Sequence, residues 1–243
     1  MTNKKALVTG ASRGIGFEIA KSLTKNGVNV IITGRKEETL KAAAEKIGCG
    51  YLVHDAAELS SSREIIKNAS ELLGGLDILV NNAGIFAQKG EWDRASLLET
   101  NVNDWQRVID TNASSVFFMM QAAVSYMLEH EIHGNILNIT SASAYEPVYG
   151  AYGASKTLAT ALTRGWGKMF APSGITINAI APGPVATEMN GWHEGDSLSH
   201  PRVPFGRFLK AEEVADAALF LLSDSAKQVC GETLLIDGAY SVR

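Results

Sequence analysis

Tyr152 and Lys156 stand four residues apart in the run Tyr152-Gly153-Ala154-Ser155-Lys156. On a helix that spacing puts both side chains on one face, about one turn from each other. A free phenol titrates near pH ~10, and a positive charge beside it favours the phenolate. The pair is thus a candidate acid that gives its proton near neutral pH. Two residue types at one spacing also recur by chance, and the alternative is an unremarkable helix face. What decides between them is what the rest of the chain brings to the pair.

A second stretch with chemical content is Thr9-Gly10-Ala11-Ser12-Arg13-Gly14-Ile15-Gly16, which follows a short apolar run and precedes a helical pattern. Glycines there allow a tight turn and let backbone amides approach a pyrophosphate at a helix N-terminus. The spacing is GxxxGxG, not the more familiar GxGxxG. The next apolar run ends Thr33-Gly34-Arg35-Lys36. An acid at its end would bind a ribose 2′-hydroxyl. A guanidinium at Arg35, with Arg13 in the glycine turn, would instead clamp a 2′-phosphate. The cofactor expected is NADP(H), in preference to NAD(H). Two solvated arginines are the plain alternative.

These residues need elements to hold them. Strand candidates are Ala6 to Val8, Val28 to Thr33, Tyr51 to Val53, Ile78 to Val80, Ile136 to Ile139, Ile175 to Ile180 and Thr233 to Ile236. They are short, rich in Val, Ile and Leu, and barely alternate, as strands buried on both faces do. Between them lie helical patterns at Ile15 to Lys25, Glu38 to Ile47, Ser62 to Leu73, Trp105 to Glu129, Ala151 to Phe170 and Ala211 to Leu222. Strand and helix alternating in this way give an α/β fold, a doubly wound Rossmann-type parallel sheet of about seven strands with helices on both faces. The rhythm runs through residues 1–243 without a linker, so one domain is expected. Ile85 to Asp104 and Glu188 to Lys210 interrupt it, and long loops in compact domains are usually functional or disordered.

Composition removes several classes of function. The formal net charge is −4, and no basic stripe marks a nucleic-acid surface. No apolar run approaches the ~20 residues that span a bilayer, and the start of the chain lacks a secretory pattern, so a cytoplasmic location is expected. Cys49 and Cys230 have no CxxC partner, and the five histidines do not cluster with other ligands. Neither a disulfide nor a metal site is expected.

Taken together, the glycine turn, Asn81-Asn82-Ala83-Gly84, Asn112, Ser141, Tyr152 with Lys156, and Pro182-Gly183 resemble the short-chain dehydrogenase/reductase family over nearly the whole chain. The resemblance is greatest to bacterial 3-oxoacyl-acyl-carrier-protein reductases. It implies a tyrosine-dependent hydride-transfer enzyme interconverting a carbonyl and a secondary alcohol. Tyr152 would be the proton donor, Lys156 its electrostatic partner and holder of the nicotinamide ribose, and Ser141 the hydrogen-bond donor to the carbonyl oxygen. Asn112 would anchor a water leading to Lys156. For the cofactor the resemblance implies Gly10, Ser12, Arg13, Gly14, Ile15 and Gly16 at the phosphates, and Asn82, Ala83 and Gly84 along the adenine–ribose side. Asp55 would meet the adenine amino group, with a solvated helix-start acid as its alternative. Pro182, Gly183, Val185 and Thr187 would lie near the nicotinamide carboxamide.

Three hydroxyls compete after the fifth strand, and Ser141 is preferred to Ser143. Ser141 precedes Tyr152 by eleven residues, closer than the family's usual spacing. Tyr145 and Tyr149 have no lysine four residues on and read as pocket walls. Substrate identity is expected in the two long loops, with 188–210 as a lid carrying Met189, Trp192, His193 and Phe205, and with Phe86 and Trp92 in the first loop. Arg202, Arg207 and Lys210 could meet an acidic carrier protein or form a solvated basic face. The family pairs the helices corresponding to Trp105 to Glu129 and Ala151 to Phe170 across two-fold axes, which implies a homotetramer or homodimer through residues such as Val116, Phe117, Phe118, Met119 and Met120. Two rivals stand beside the general carbonyl reductase: a 3-oxoacyl-thioester reductase of fatty-acid synthesis, and a non-catalytic dinucleotide-binding sensor or scaffold.

Overall fold

The computed structural model describes residues 1–86 and 97–242. Seven strands form one sheet: β1 Lys5–Val8, β2 Asn29–Gly34, β3 Gly50–Val53, β4 Ile78–Asn81, β5 Asn135–Ile139, β6 Thr176–Pro182 and β7 Thr233–Ile236. Their order is β3-β2-β1-β4-β5-β6-β7, and every pairing is parallel. The order reverses between β1 and β4, the switch point at which open α/β sheets bind ligands beyond their strand ends.

Helices cover both faces: α1 Gly14–Lys25, α2 Glu37–Ile47, α3 Ser62–Leu73, α4 Val102–Ile109, α5 Ser115–Glu129, α6 Ala151–Phe170 and α7 Ala211–Leu222. One core layer sets α1, α2 and α7 on the sheet, through Ile19, Leu23, Leu40, Val214 and Leu222. The opposite layer uses Ile66, Met119, Met120, Met127 and Ile136 beneath α3 and α5. Strands pressed between two such layers must be apolar on both sides, which is why their sequences barely alternate.

The long pattern from Trp105 to Glu129 is not one regular helix. Between α4 and α5 the residues Asp110–Ser114 form a π-helical turn, with Thr111, Asn112 and Ala113 buried. Apolar periodicity is blind to one extra residue per turn, and such bulges concentrate at functional sites.

The expected subunit seam also needs correction. Val116, Met119 and Met120 are core residues of the protomer itself, each at most 4% exposed. Phe118 is exposed, and Phe117 packs edge-on at 5.3 Å against both Phe118 and Trp166. Among the described residues, no helix is long and apolar enough to cross a membrane.

Candidate active site

A cavity of about 450 Å³ opens at the carboxyl ends of the central strands. Gly10, Ser12, Arg13, Gly14 and Ile15 form one wall, while Arg35 and Asp55 stand at one end. Asn82, Ala83 and Gly84 line the middle, with Tyr152, Lys156 and Thr187 at the other end. Gly16, Asn112, Ser141, Pro182, Gly183 and Val185 are not among the residues that line it.

The glycine turn is built by close approach. Gly10 adopts φ +63°, and a Cβ there would lie 2.7 Å from Ala83 Cα. Asn82 Nδ2 donates to the carbonyls of Thr9 and Gly10, both at 2.9 Å. Thr9 Oγ1 accepts from the N–H groups of Asn82 and Ala83 at 3.0 and 3.1 Å. A side chain at Gly16 would collide with Asn82, so Gly16 serves the cavity by letting Asn82 in. Helix α1 starts from this turn with no side-chain cap and no acid in its first turn. Its free N–H groups and positive dipole end face a glycine-lined wall, an environment that fits a pyrophosphate.

At the far end Arg35 is exposed on the cavity wall, with no ion-pair partner among the described residues. Arg13 does not join it. Its guanidinium pairs with Glu188, and both side chains are more than half exposed. Surface pairs of this kind are worth little, so Arg13 can exchange partners. Asp55 Oδ1 accepts from Ala57 N at 3.1 Å, which fixes the turn after β3 while its carboxylate borders the cavity. His54, unmarked in the sequence reading, is buried beside it and lines the same wall. Its Nε2 is 3.1 Å from Ser61 Oγ, and its Nδ1 is buried without a partner among the described residues. Burial holds this ring below the usual histidine range, against the charges of Asp55 and Glu58.

At the opposite end, Gly150 precedes α6 in extended conformation, and the helix carries Tyr152 and Lys156 on one face. The Ser141 hydroxyl donates to Ser143 Oγ at 3.2 Å. It also accepts from Ser143 N at 3.1 Å, so Ser143 supports Ser141 from the turn behind it. Lys156 Nζ donates to the Ile139 carbonyl at 2.9 Å and lies 5.7 Å from the centroid of the Tyr152 ring. Burial lowers this ammonium to about 8. Burial also raises the phenol of Tyr152, and the nearby Ser141 hydroxyl opposes that rise. The net direction is opposite to that expected from a neighbouring ammonium alone. Desolvation wins because the phenol sits in a largely closed wall.

Asn112 is neither solvent-facing nor free. It is 1% exposed, accepts from Ile85 N at 2.8 Å, and donates to Ile85 O at 2.9 Å and Ser155 Oγ at 3.2 Å. Its side chain is therefore spent on protein partners.

Behind the loop after β6, Gly183 N donates to Ile236 O at 2.8 Å, and a Cβ on Gly183 would lie 2.8 Å from Asp237 Cα. Val185 is buried, and its carbonyl accepts from Asn190 Nδ2 at 2.8 Å. Thr187 alone of this group reaches the cavity, close to Gly14. From the following loop Met189, Trp192 and His193 line the cavity, whereas Phe205 is 75% exposed and does not. Tyr145 and Tyr149, expected as walls, are exposed and do not line it either. Phe86 packs on Tyr152 at 5.0 Å with the rings 71° apart. Trp92 lies outside the described residues. Arg207 is committed within the protomer, donating to both carboxylate oxygens of Glu213 at 2.8 and 2.7 Å.

Comparison with known proteins gives the family. Residues 10–241 match a family model described as enoyl-(acyl carrier protein) reductase. The chain is 35% identical over 253 residues to glucose 1-dehydrogenase 2 of Bacillus subtilis, covering 100% of this chain and 96% of that one. It is 36% identical over 248 residues to a 3-oxoacyl-[acyl-carrier-protein] reductase of Aquifex aeolicus, covering 98% and 97%. A short-chain dehydrogenase from Burkholderia cenocepacia, solved in complex with NADP, superposes with a TM-score of 0.85 at 32% identity, covering 98% of this chain and 97% of that one. With these matches, a parallel seven-stranded sheet, a glycine turn at its switch point and Tyr152 with Lys156 at the cavity's other end, the chain belongs to the short-chain dehydrogenase/reductase family of oxidoreductases.

Proposed function

We propose that this chain is an NADPH-dependent oxidoreductase that interconverts a carbonyl and a secondary alcohol, with Tyr152 as general acid and base. The observation that carries the reading is one cavity running from the uncapped start of α1 to the phenol of Tyr152, with Lys156 Nζ 5.7 Å from its ring centroid.

When bound, the nicotinamide supplies a hydride to the carbonyl carbon or takes one from the alcohol carbon. Tyr152 Oη gives its proton to the substrate oxygen in reduction and takes it back in oxidation. Ser141 donates a hydrogen bond to the same oxygen, where negative charge develops. Lys156, fixed by the Ile139 carbonyl, holds a positive charge beside the ring and a donor toward a ribose hydroxyl. Met189, Trp192 and His193 supply the substrate wall, so residues 188–210 act as the substrate loop. Preference for the 2′-phosphate comes from Arg35, joined by Arg13 on release from Glu188. Association into a homodimer or homotetramer would cover the aromatic face of α5 and α6.

The test is NADPH oxidation across a panel of ketones, sugars and acetoacetyl thioesters. Turnover of any member supports the reading, and tight cofactor binding with no turnover would favour the sensor or scaffold. A second reading is 3-oxoacyl-thioester reduction, favoured by the identity to the Aquifex aeolicus enzyme. The commitment of Arg207 to Glu213 weighs against a basic dock for a carrier protein.

A further inference from the structure

We propose that Phe86 is a positioning residue for the phenol of Tyr152, held in register by the clamp of Asn112 on Ile85. The inference rests on the reading of Tyr152 as the proton donor and assigns a role to a residue outside the Ser-Tyr-Lys set.

A closed circuit of contacts carries it. Asn112, buried in the π-helical turn, fixes both backbone groups of Ile85 at 2.8 and 2.9 Å. With Ile85 pinned in this way, the next residue has little freedom in where its side chain starts. Phe86 sets its ring 5.0 Å from that of Tyr152, 71° from parallel, a favoured arrangement for aromatic pairs. From its other amide hydrogen-bonding site Asn112 donates to Ser155 Oγ at 3.2 Å, and Ser155 donates to the carbonyl of Tyr152 at 2.7 Å. Asn112 therefore reaches Tyr152 twice, once at the backbone through Ser155 and once at the ring through Ile85 and Phe86.

A phenol that transfers its proton must keep its oxygen within hydrogen-bond reach of the reacting atom. Displacement of about 1 Å can cost roughly 10²-fold in rate. The two soft dihedrals of Tyr152 allow that displacement unless the ring is held. Lys156 Nζ lies 5.7 Å from the centroid of the ring. Phe86 supplies an apolar contact against the ring and keeps water from that part of it.

The test compares Phe86→Leu, which keeps apolar volume, and Phe86→Tyr, which keeps the ring, with the unaltered chain. Each is assayed with a carbonyl substrate found in the panel, with NADPH affinity read by nucleotide fluorescence. The expected result for Phe86→Leu is a loss of about tenfold in kcat, with KM and NADPH Kd within about twofold. Its solvent deuterium isotope effect on kcat should rise, because proton transfer becomes harder. Phe86→Tyr should restore most of kcat. An unaltered kcat and isotope effect in Phe86→Leu overturns the proposal, as does a loss confined to KM, which would make Phe86 a substrate wall. If Tyr152→Phe itself turns over at the wild-type rate, the reading of the site fails as a whole. An inactive Tyr152→Phe beside an unaffected Phe86→Leu removes the Phe86 role alone.

Discussion

Asn112 closes its side-chain amide on both backbone groups of Ile85, accepting from its N–H at 2.8 Å and donating to its carbonyl at 2.9 Å. Replacing Asn112 with Leu would leave two part-buried backbone groups of Ile85 without their partner, costing about 1 kcal/mol each. The expected outcome is a clear fall in Tm together with loss of turnover. Asn112→Asp should be nearly as damaging, because a carboxylate accepts from Ile85 N but repels its carbonyl. Thermal melts and single-turnover rates of both variants check this.

Tyr152→Phe should lower kcat by roughly 10²–10⁴-fold, the range general acid–base catalysis supplies, with NADPH affinity little altered. Stopped-flow hydride transfer and fluorescence titration separate the two effects. Retention of near wild-type rates would remove the proton-donor role.

Arg35→Asp should lower the ratio of kcat/KM for NADPH over NADH by about tenfold or more, since a guanidinium–phosphate pair becomes a repulsion. The side chain is exposed, so stability should be unaffected. Glu188→Gln frees Arg13 and should move the same ratio the other way, by less. An unchanged ratio in both variants would mean that neither guanidinium reads the 2′-phosphate.

The buried Lys156 gives folding stability a signed dependence on pH in the cofactor-free protein. Its folded pKa is lowered to about 8 from 10.5, so between those values the unfolded chain binds more protons than the folded one. Stability from this group therefore rises as pH climbs from about 8 to 10.5. Lys156→Met should abolish that rise. Tyr152 acts from about pH 10 upward and with opposite sign, because its folded pKa is raised above 10.0 and the folded state there retains the proton. Denaturant melts of both proteins at pH 7, 8.5 and 10 measure the difference.

Gly10→Ala should be severely destabilising. The added methyl would stand 2.7 Å from Ala83 Cα, on backbone at φ +63° that favours glycine. Neither side can yield, since Thr9 and Asn82 hold the two turns together. A fall in Tm with loss of NADPH binding is the expected result.

Much of the architecture follows from local pattern. The helices Ser62–Leu73, Ala151–Phe170 and Ala211–Leu222 and the strand Thr233–Ile236 lie where apolar periodicity sets them; the other elements differ by a few residues at their ends, except the pattern from Trp105 to Glu129, which the π-helical turn divides. The reason is that a strand between two helical layers must be apolar throughout, while each covering helix needs one apolar stripe. The spacing of Tyr152 and Lys156, and the glycines at 10, 14 and 16, likewise reflect one helix turn and one tight turn.

What lay beyond the sequence was decided by contacts between distant segments. Nothing local marks Asn112 as the clamp of Ile85, because the π-helical turn that aims it is invisible to a 3.6-residue period. Val116, Met119 and Met120 look like seam residues until α5 is laid on the sheet and buries them. Arg13 meets Glu188, 175 positions away, only because β1 and β6 end at the same edge. The same closure of the chain sets the direction of the Tyr152 shift, since burial depends on walls contributed by several segments. The four-residue spacing of Tyr152 and Lys156 belongs to one helix turn, but the environment that tunes them belongs to the fold.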